Sequence, residues 1–340
     1  MAILVTGGLG YIGSHTVVEL IKQGYEVIVV DNLSNSKEQM VEQIKKITGV
    51  KITFYKADLL EKSKLDEIFE KHPEITDVIH FAGAKAVGES VQKPLWYYEN
   101  NIMSSINLLN VMIKNNVKNI IFSSSATVYG TPKRVPIVEK DKVGGTTNPY
   151  GTTKLVIEEI LQDVYKVHKD MNIALLRYFN PIGANETGLI GEAPNGIPNN
   201  LMPYITQVAI GKLDHLNVFG DDYPTPDGTG VRDYIHVVDL ALGHIASINK
   251  LHENCGLVIY NLGTGKGTSV LELVKAFENA NDVKIPYEIV DRRPGDIAEC
   301  YANCDKAKEE MGWTADKNIE DACRDSWRWQ QYFSKHENEN

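Results

Sequence analysis

The sequence predicts an α/β protein: a doubly wound parallel sheet with helices on both faces, followed by a smaller mixed α/β domain. Three observations carry this. Short runs rich in Val, Ile and Leu alternate with helical patterns through the first half of the chain. A glycine-rich turn follows the first run directly. After Asn180 the alternation gives way to stretches rich in Pro, Gly and Asn. Strands that alternate with helices pair in parallel, and a parallel sheet is buried on both faces.

In chain order the apolar runs are 3–6, 26–31, 51–56, 77–81, 118–123 and 173–178. Their length and aliphatic content suit fully buried strands. Helical spacing of apolar residues separates them over 12–23, 64–71, 95–115 and 150–168. The last of these opens just after Asn148-Pro149, since proline is accepted in a first turn. Beyond Asn180, loop-rich stretches cover 181–203 and 220–230, and short elements follow at 237–250, 257–261, 269–279 and 319–332. The division expected is a first domain over 1–180 and a second over 181–340 that caps the carboxyl edge of the sheet. Residues 233–262 are expected to return and extend the sheet. The polar tail 336–340 is expected to be disordered.

With 340 residues, 43% hydrophobic and 24% charged, the chain has the composition of a soluble globular protein. A net charge of −10 excludes a general nucleic-acid binder while leaving room for local phosphate sites. No run approaches the roughly 18–20 apolar residues of a membrane span, and the start lacks the pattern of a signal peptide. The four cysteines (Cys255, Cys300, Cys304, Cys323) form no Cys-x-x-Cys pair. Cys300 and Cys304 have the spacing of neighbours on a helix, but nothing completes a zinc pattern, and no metal is expected. Reduced thiols point to a cytoplasmic protein.

The turn Thr6-Gly-Gly-Leu-Gly-Tyr-Ile-Gly13 lies between the first strand and the first helix. Glycines such as Gly7, Gly10 and Gly13 let backbone turn sharply and approach a pyrophosphate, where the free N–H groups of a helix start favour anions. Asp31 ends the second strand, about 20 residues further on, as a carboxylate that holds ribose hydroxyls would. Such a carboxylate repels a 2′-phosphate, which indicates NAD rather than NADP. The strand before Phe81-Ala-Gly-Ala84 is expected to bring backbone against the same cofactor. Asp58, after the third strand, reads equally as a partner for adenine and as a loop cap.

A Tyr-x-x-x-Lys spacing occurs three times, starting at Tyr129, Tyr150 and Tyr165. Pro132 breaks the first as a helical pair, and the third sits among charged residues at a helix end. Tyr150 differs, because it opens a helix and follows a strand ending in Ser123-Ser124-Ser125. Residues at i and i+4 share a helix face. An ammonium close to a phenol, whose pKa is ordinarily ~10, can lower that by roughly 1–3 pH units, which makes Tyr150 a candidate base beside Lys154.

These motifs resemble the extended short-chain dehydrogenase/reductase superfamily and, within it, the UDP-glucose (UDP-galactose) 4-epimerase family over nearly the full length. The resemblance rests on Lys85-Ala-Val-Gly-Glu-Ser-Val-Gln-Lys-Pro-Leu95, Ser123-Ser-Ser-Ala-Thr-Val-Tyr-Gly130 and Leu175-Leu-Arg-Tyr-Phe-Asn-Pro-Ile-Gly-Ala184. It continues through Gly196-Ile-Pro-Asn-Asn-Leu-Met-Pro203, the stretch 219–236 and Arg292-Arg-Pro-Gly-Asp296.

The resemblance implies a Rossmann domain with tightly bound NAD, a UDP-sugar substrate and reversible epimerisation at C4. It sets Gly7, Gly10, Tyr11, Ile12, Gly13, Asp31, Asn32, Asn35, Ser36, Asp58, Leu59, Phe81, Lys85, Asn100, Ser125, Tyr150, Lys154 and Phe179 around NAD. It sets Asn180, Asn200, Leu201, Arg232, Arg293 and Asp296 around UDP, with Ser125, Tyr150 and Lys154 as catalytic residues. At Cys300, family members restricted to UDP-glucose and UDP-galactose tend to carry tyrosine, so the small thiol implies room for the N-acetylated pair. A homodimer joined through helices 95–115 and 150–168 is also implied.

Overall fold

The computed structural model describes residues 1–194, 198, 200–293 and 295–336. Within the stretch 196–203, residues 196, 197 and 199 lie outside the described residues, as does the tail beyond 336. Six strands of the first half are β1 (Ala2–Thr6), β2 (Glu26–Asp31), β3 (Thr53–Lys56), β4 (Ile75–His80), β5 (Asn119–Ser125) and β6 (Asn172–Tyr178). Between them run α1 (Tyr11–Lys22), α2 (Met40–Thr48), α3 (Lys62–Lys71), α4 (Val87–Gln92), α5 (Pro94–Tyr98), α6 (Ser104–Lys114) and α7 (Pro149–Val167).

The second half contributes β7 (Asn180–Ile182), α8 (Leu201–Ala209), β8 (Leu216–Phe219), β9 (Val231–Arg232), β10 (Tyr234–His236), α9 (Val237–Leu251) and β11 (Leu257–Leu262). It closes with β12 (Thr268–Ser269), α10 (Val270–Asn281), β13 (Tyr287–Val290), β14 (Glu299–Cys300), α11 (Asp305–Met311) and α12 (Ile319–His336). Among the described residues no helix is long and apolar enough to cross a membrane.

The main sheet is parallel throughout, in the order β11-β6-β5-β4-β1-β2-β3. This is the predicted doubly wound fold. One face packs Val17, Val18 and Leu20 of α1 with Leu240, Ile245 and Ile248 of α9. The other packs Leu65, Ile68 and Phe69 of α3 with residues of α6 and α7, among them Leu108, Met112, Ile157 and Leu161. The chain winds outward from β1 to β3, then crosses back to β4 on the other side of β1. The crevice at the carboxyl ends of β1 and β4 is therefore the topological switch point, where open α/β sheets bind ligands.

Strand β11 comes from the second half and pairs with β6 in register, Leu257 opposite Ile173 through Leu262 opposite Tyr178. The remaining strands form small sheets: β7 with β10, β8 with β13, and β9 between β12 and β14. A separate core of Met202, Ile205, Leu273, Phe277 and Cys323 joins α8, α10 and α12. Ser269 and Glu272 close a reciprocal capping box at the start of α10.

Several elements depart from the sequence reading, among them α4, α8 and α11, which fall outside the expected helical stretches. The pattern 95–115 is α5, then a π-helical turn over Glu99–Met103, then α6. Asn101 sits in that turn and binds the backbone of Ala84 with both ends of its amide, Oδ1 accepting from N at 2.8 Å and Nδ2 donating to O at 3.0 Å. Helix α2 was not among the expected patterns, since it buries only Gln43 and Ile44.

Candidate active site

The glycine turn is packed too tightly for side chains. Gly7 has φ +68°, and a Cβ there would lie 2.8 Å from Ala82 N; at Gly13 it would lie 2.3 Å from Gly7 O. Thr6 O accepts from both Phe81 N (3.0 Å) and Ala82 N (3.1 Å), which binds the turn to the end of β4. Helix α1 starts there with Gly10 as its cap, no side-chain cap and no acidic residue in its first turn. Its first N–H groups and dipole thus suit an anion. The residues present fit a dinucleotide.

Asp31 is buried and organises this region: Oδ2 accepts from Leu9 N (3.0 Å), while Oδ1 accepts from Leu33 N (2.9 Å) and Ser36 Oγ (2.7 Å). Asn32 donates to Asp58 Oδ2 at 2.8 Å, and Asp58 Oδ1 accepts from Leu60 N at 2.8 Å, so Asp58 caps its loop. Asn35 lies exposed in the same loop as Ser36. Leu59 is buried in the sheet's core, and Ile12 packs beside α1's own core residues. Tyr11 donates to Gly183 O at 2.7 Å, and the Lys85 ammonium lies 5.7 Å from its ring centre. The Phe81 ring packs against His244, tilted at 49° with the ring centres 4.7 Å apart. Asn100 donates to Asn101 Oδ1 at 2.9 Å in the π-helical turn.

Helix α7 opens on Asn148, whose side chain accepts from Gly151 N at 2.8 Å, with Pro149 in the first turn. This sets half-buried Tyr150 against Ser125 at the end of β5. Ser125 Oγ also accepts from Thr127 N and Oγ1, at 3.2 and 3.0 Å. Lys154 is buried and donates to Ser123 O at 2.6 Å, with its ammonium 6.0 Å from the Tyr150 ring centre.

The expected depression of the Tyr150 pKa by Lys154 is not what the chain itself shows. Burial raises the phenol above its ordinary value, and a hydrogen bond with Ser125 opposes the rise. Lys154 is drawn down to about 8 by burial, with the Glu158 carboxylate opposing. The reason is geometric: the ammonium is directed at a backbone carbonyl and not at the phenol.

A second cluster occupies the smaller sheets. The Arg293 guanidinium lies 4.6 Å from the Phe219 ring centre and donates to Asp296 at 3.1 Å. Arg232 donates to Val231 O at 2.8 Å. Tyr234, pushed up to about 12 mainly by burial, feels Arg232, Arg293 and Asp296 together, so these three predicted residues share one space. Cys300 pairs with Arg232 in the β9–β14 register and packs with Phe179, Tyr129 and Ala302. Its thiol is pushed up to about 11, chiefly by burial. Cys300 lies in a strand and Cys304 just before α11, so the two are not neighbours on a helix.

Asn200 donates to Glu192 Oε1 at 2.7 Å, and Lys85 pairs with the same oxygen at 3.0 Å. Leu201 opens α8, and Asn180 N donates to Asp233 O at 3.0 Å. Sequence reasoning missed Glu192, which ties Lys85 to Asn200, and Tyr223, stacked 3.9 Å under Arg292. No spacing signals either one.

The sheet, its glycine turn and the Tyr150/Lys154 helix define an enzyme of the extended short-chain dehydrogenase/reductase class. A family model described as GDP-mannose 4,6 dehydratase matches residues 4–326. UDP-glucose 4-epimerase of Pasteurella multocida is 60% identical over 97% of each chain. A solved UDP-glucose 4-epimerase from Bifidobacterium longum, in complex with NAD+ and UDP, is 55% identical with a TM-score of 0.94 over 98% of each chain. Another, from Stenotrophomonas maltophila with bound NAD and formylated UDP-arabinopyranose, is 49% identical with a TM-score of 0.96 over 98% of this chain and 99% of that one. The chain belongs to that matched family and, within it, to the UDP-glucose 4-epimerases.

Proposed function

We propose that this chain interconverts UDP-glucose and UDP-galactose by transient oxidation of the sugar at C4. The observation that carries the reading is the constellation of Ser125, Tyr150 and Lys154 at the carboxyl edge of a dinucleotide-binding sheet. Tyr150 takes the proton from the 4-hydroxyl and later returns one to the same oxygen. Ser125 hydrogen-bonds that oxygen. Lys154 holds the nicotinamide ribose and adds positive charge near the base. Bound NAD supplies the hydride acceptor and donor at C4 and, when oxidised, a further positive charge. The glycine turn, Tyr11, Ile12, Asp31, Asn32, Asn35, Ser36, Asp58, Leu59, Phe81, Lys85, Asn100 and Phe179 hold the cofactor.

Arg232 and Arg293 suit a diphosphate through forked donors, with Asn180, Asn200, Leu201 and Asp296 completing the UDP site. Inversion requires the keto sugar to present its other face, so the grip belongs on UDP, away from the reacting ring. Residues 1–180 with 233–262 act as the cofactor domain and the rest as the sugar-nucleotide domain. Val87, Val91, Leu95, Trp96 and Met103 are exposed apolar residues on α4, α5 and the π-helical turn, which supports a homodimer joined at this face. The free thiols fit a cytoplasmic setting.

A dehydratase, the rival reading, needs an acid/base carboxyl pair after the serine strand, where this chain has Ala126-Thr127. Incubation with UDP-galactose and no added NAD separates the alternatives. An epimerase yields UDP-glucose. A 4-keto-6-deoxy sugar, or no product, would overturn the reading.

A further inference from the structure

One turn beyond Lys154 on α7 lies a buried ion pair for which the reaction as written has no use. Glu158 is fully buried, and Arg177 of β6 is 3% exposed. Arg177 Nη2 sits 2.5 Å from Glu158 Oε2, and Nε donates to both carboxylate oxygens at 2.9 and 3.2 Å. Ser124, between the two serines that serve Lys154 and Tyr150, donates to Glu158 Oε1 at 2.5 Å. Arg177 Nη1 donates to Tyr129 Oη and Glu139 O, each at 3.2 Å, and its guanidinium lies 4.9 Å from the Tyr129 ring centre. Tyr129 in turn donates to Asn261 at 2.7 Å.

A buried ion pair is not a stabiliser by default, because desolvation offsets its attraction and apolar residues of equal volume serve as well. Its position suggests another purpose. Lys154 must stay protonated where burial opposes the charge. From β4 it faces His80, which burial and Lys154 itself push down to about 3, so that ring is neutral. From β5 it faces the Ser123 carbonyl and the Phe122 ring. From β6 comes Tyr178, hydrogen-bonded to Ser123 Oγ, while Arg177 of the same strand pairs with Glu158. From its own helix come Tyr150, with Tyr97 of α5 beyond it, and Glu158. Both Tyr97 and Tyr178 are raised by burial and remain neutral. Glu158 is thus the carboxylate whose field supports the ammonium, and it acts on Lys154 from i+4 on the same helix face.

We propose that Glu158 is a positioning residue for the reaction: its carboxylate, fixed by Arg177 and Ser124, keeps Lys154 charged inside the site. Arg177 has the complementary part. Its guanidinium holds the Glu158 carboxylate in place through both oxygens. The inference deepens the acid–base assignment of Tyr150 and Lys154 and rests on it.

Glu158→Gln alone strands a buried guanidinium, so the informative variants remove both charges: Glu158→Gln/Arg177→Met and Glu158→Gln/Arg177→Gln. Thermal melting and the bound-NAD absorbance establish that a variant is folded and loaded. Two readouts follow: the pH profile of kcat, and the pH dependence of Lys154 acetylation by acetic anhydride, followed by mass spectrometry. Of the two charges removed, the Glu158 carboxylate is the one that acts on Lys154, so its loss makes the ammonium easier to deprotonate. The alkaline limb of kcat and the labelling midpoint should both move to lower pH, by about one unit. A folded, NAD-loaded variant with limb and midpoint unmoved overturns the proposal. If Tyr150→Phe retains turnover, the acid–base assignment itself has failed; if Tyr150→Phe is inactive while the limb stays put, only the role of Glu158 has.

Discussion

Tyr150 and Lys154 were legible because the spacing, the proline before them and the serine strand select one Tyr-x-x-x-Lys of three. What spacing could not convey is that the lysine points to Ser123 O at 2.6 Å, leaving burial to dominate the phenol. Tyr150→Phe keeps the ring and removes the proton acceptor. It should lower kcat by several orders of magnitude while the purified protein keeps its NAD absorbance; near-normal turnover would refute the assignment. Cys300 beside Arg232 tests substrate range. Wild type should convert UDP-GlcNAc as well as UDP-glucose, and Cys300→Tyr should lose the former and keep the latter, since overpacking a rigid pocket costs roughly 1–3 kcal/mol. Equal conversion of UDP-GlcNAc by both proteins would remove Cys300 from the specificity argument.

Three histidines set an acid limit at the same scale. Burial pushes His15 and His244 to about 4 and His80 to about 3. These folded values lie below the ordinary ~6.5 of an unfolded histidine, so the unfolded chain takes up protons first. The stability they contribute is intact above about pH 6.5. It is lost as pH falls toward 4, at about 1.4 kcal/mol per pH unit for each histidine. The urea midpoint should therefore drop steeply between about pH 6.5 and 4.5. A midpoint constant over that range would show that these rings are protonated without unfolding.

Among elements, the six strands of the first half were readable to within two residues at either end, because buried parallel strands are short, aliphatic and bounded by loops; β3, at the sheet edge, is the exception, with Thr53 and Lys56 exposed. The π-helical turn at Glu99–Met103 left no mark, since one extra residue per turn barely disturbs an apolar pattern. Strands β9 and β14 are two residues each, too short to show alternation, yet they set Cys300 against Arg232. The glycine turn was legible as a motif, and its contacts explain the glycines. Gly13→Ala would drive a Cβ to 2.3 Å from Gly7 O, so the turn must open. The variant should purify with much less than one NAD per chain, measured by absorbance after denaturation. Full occupancy would mean that the turn yields cheaply.

At the scale of the whole molecule, α4, α5 and the π-helical turn carry exposed apolar residues that the chain's own packing does not cover. Leu95 is 81% and Val91 61% exposed. If a second copy covers this face, Leu95→Glu with Val91→Glu should shift the protein from dimer to monomer in light scattering while sparing the monomer's fold. An unchanged mass would place the contact elsewhere.

The return of β11 has a consequence for how the chain is made. Strand β6 is buried along its entire length, and its outer neighbour is encoded some eighty residues later. While a ribosome is still synthesising the intervening segment, the nascent sheet presents β6 as a bare, aliphatic edge, the kind of surface that recruits strands from other chains. α9, which covers one face of that sheet, is also late to emerge. Release of the finished sheet from this exposed state therefore waits on Leu262. Until then that edge is open to pairing with other chains, so a prematurely terminated chain would expose a surface that the finished protein covers.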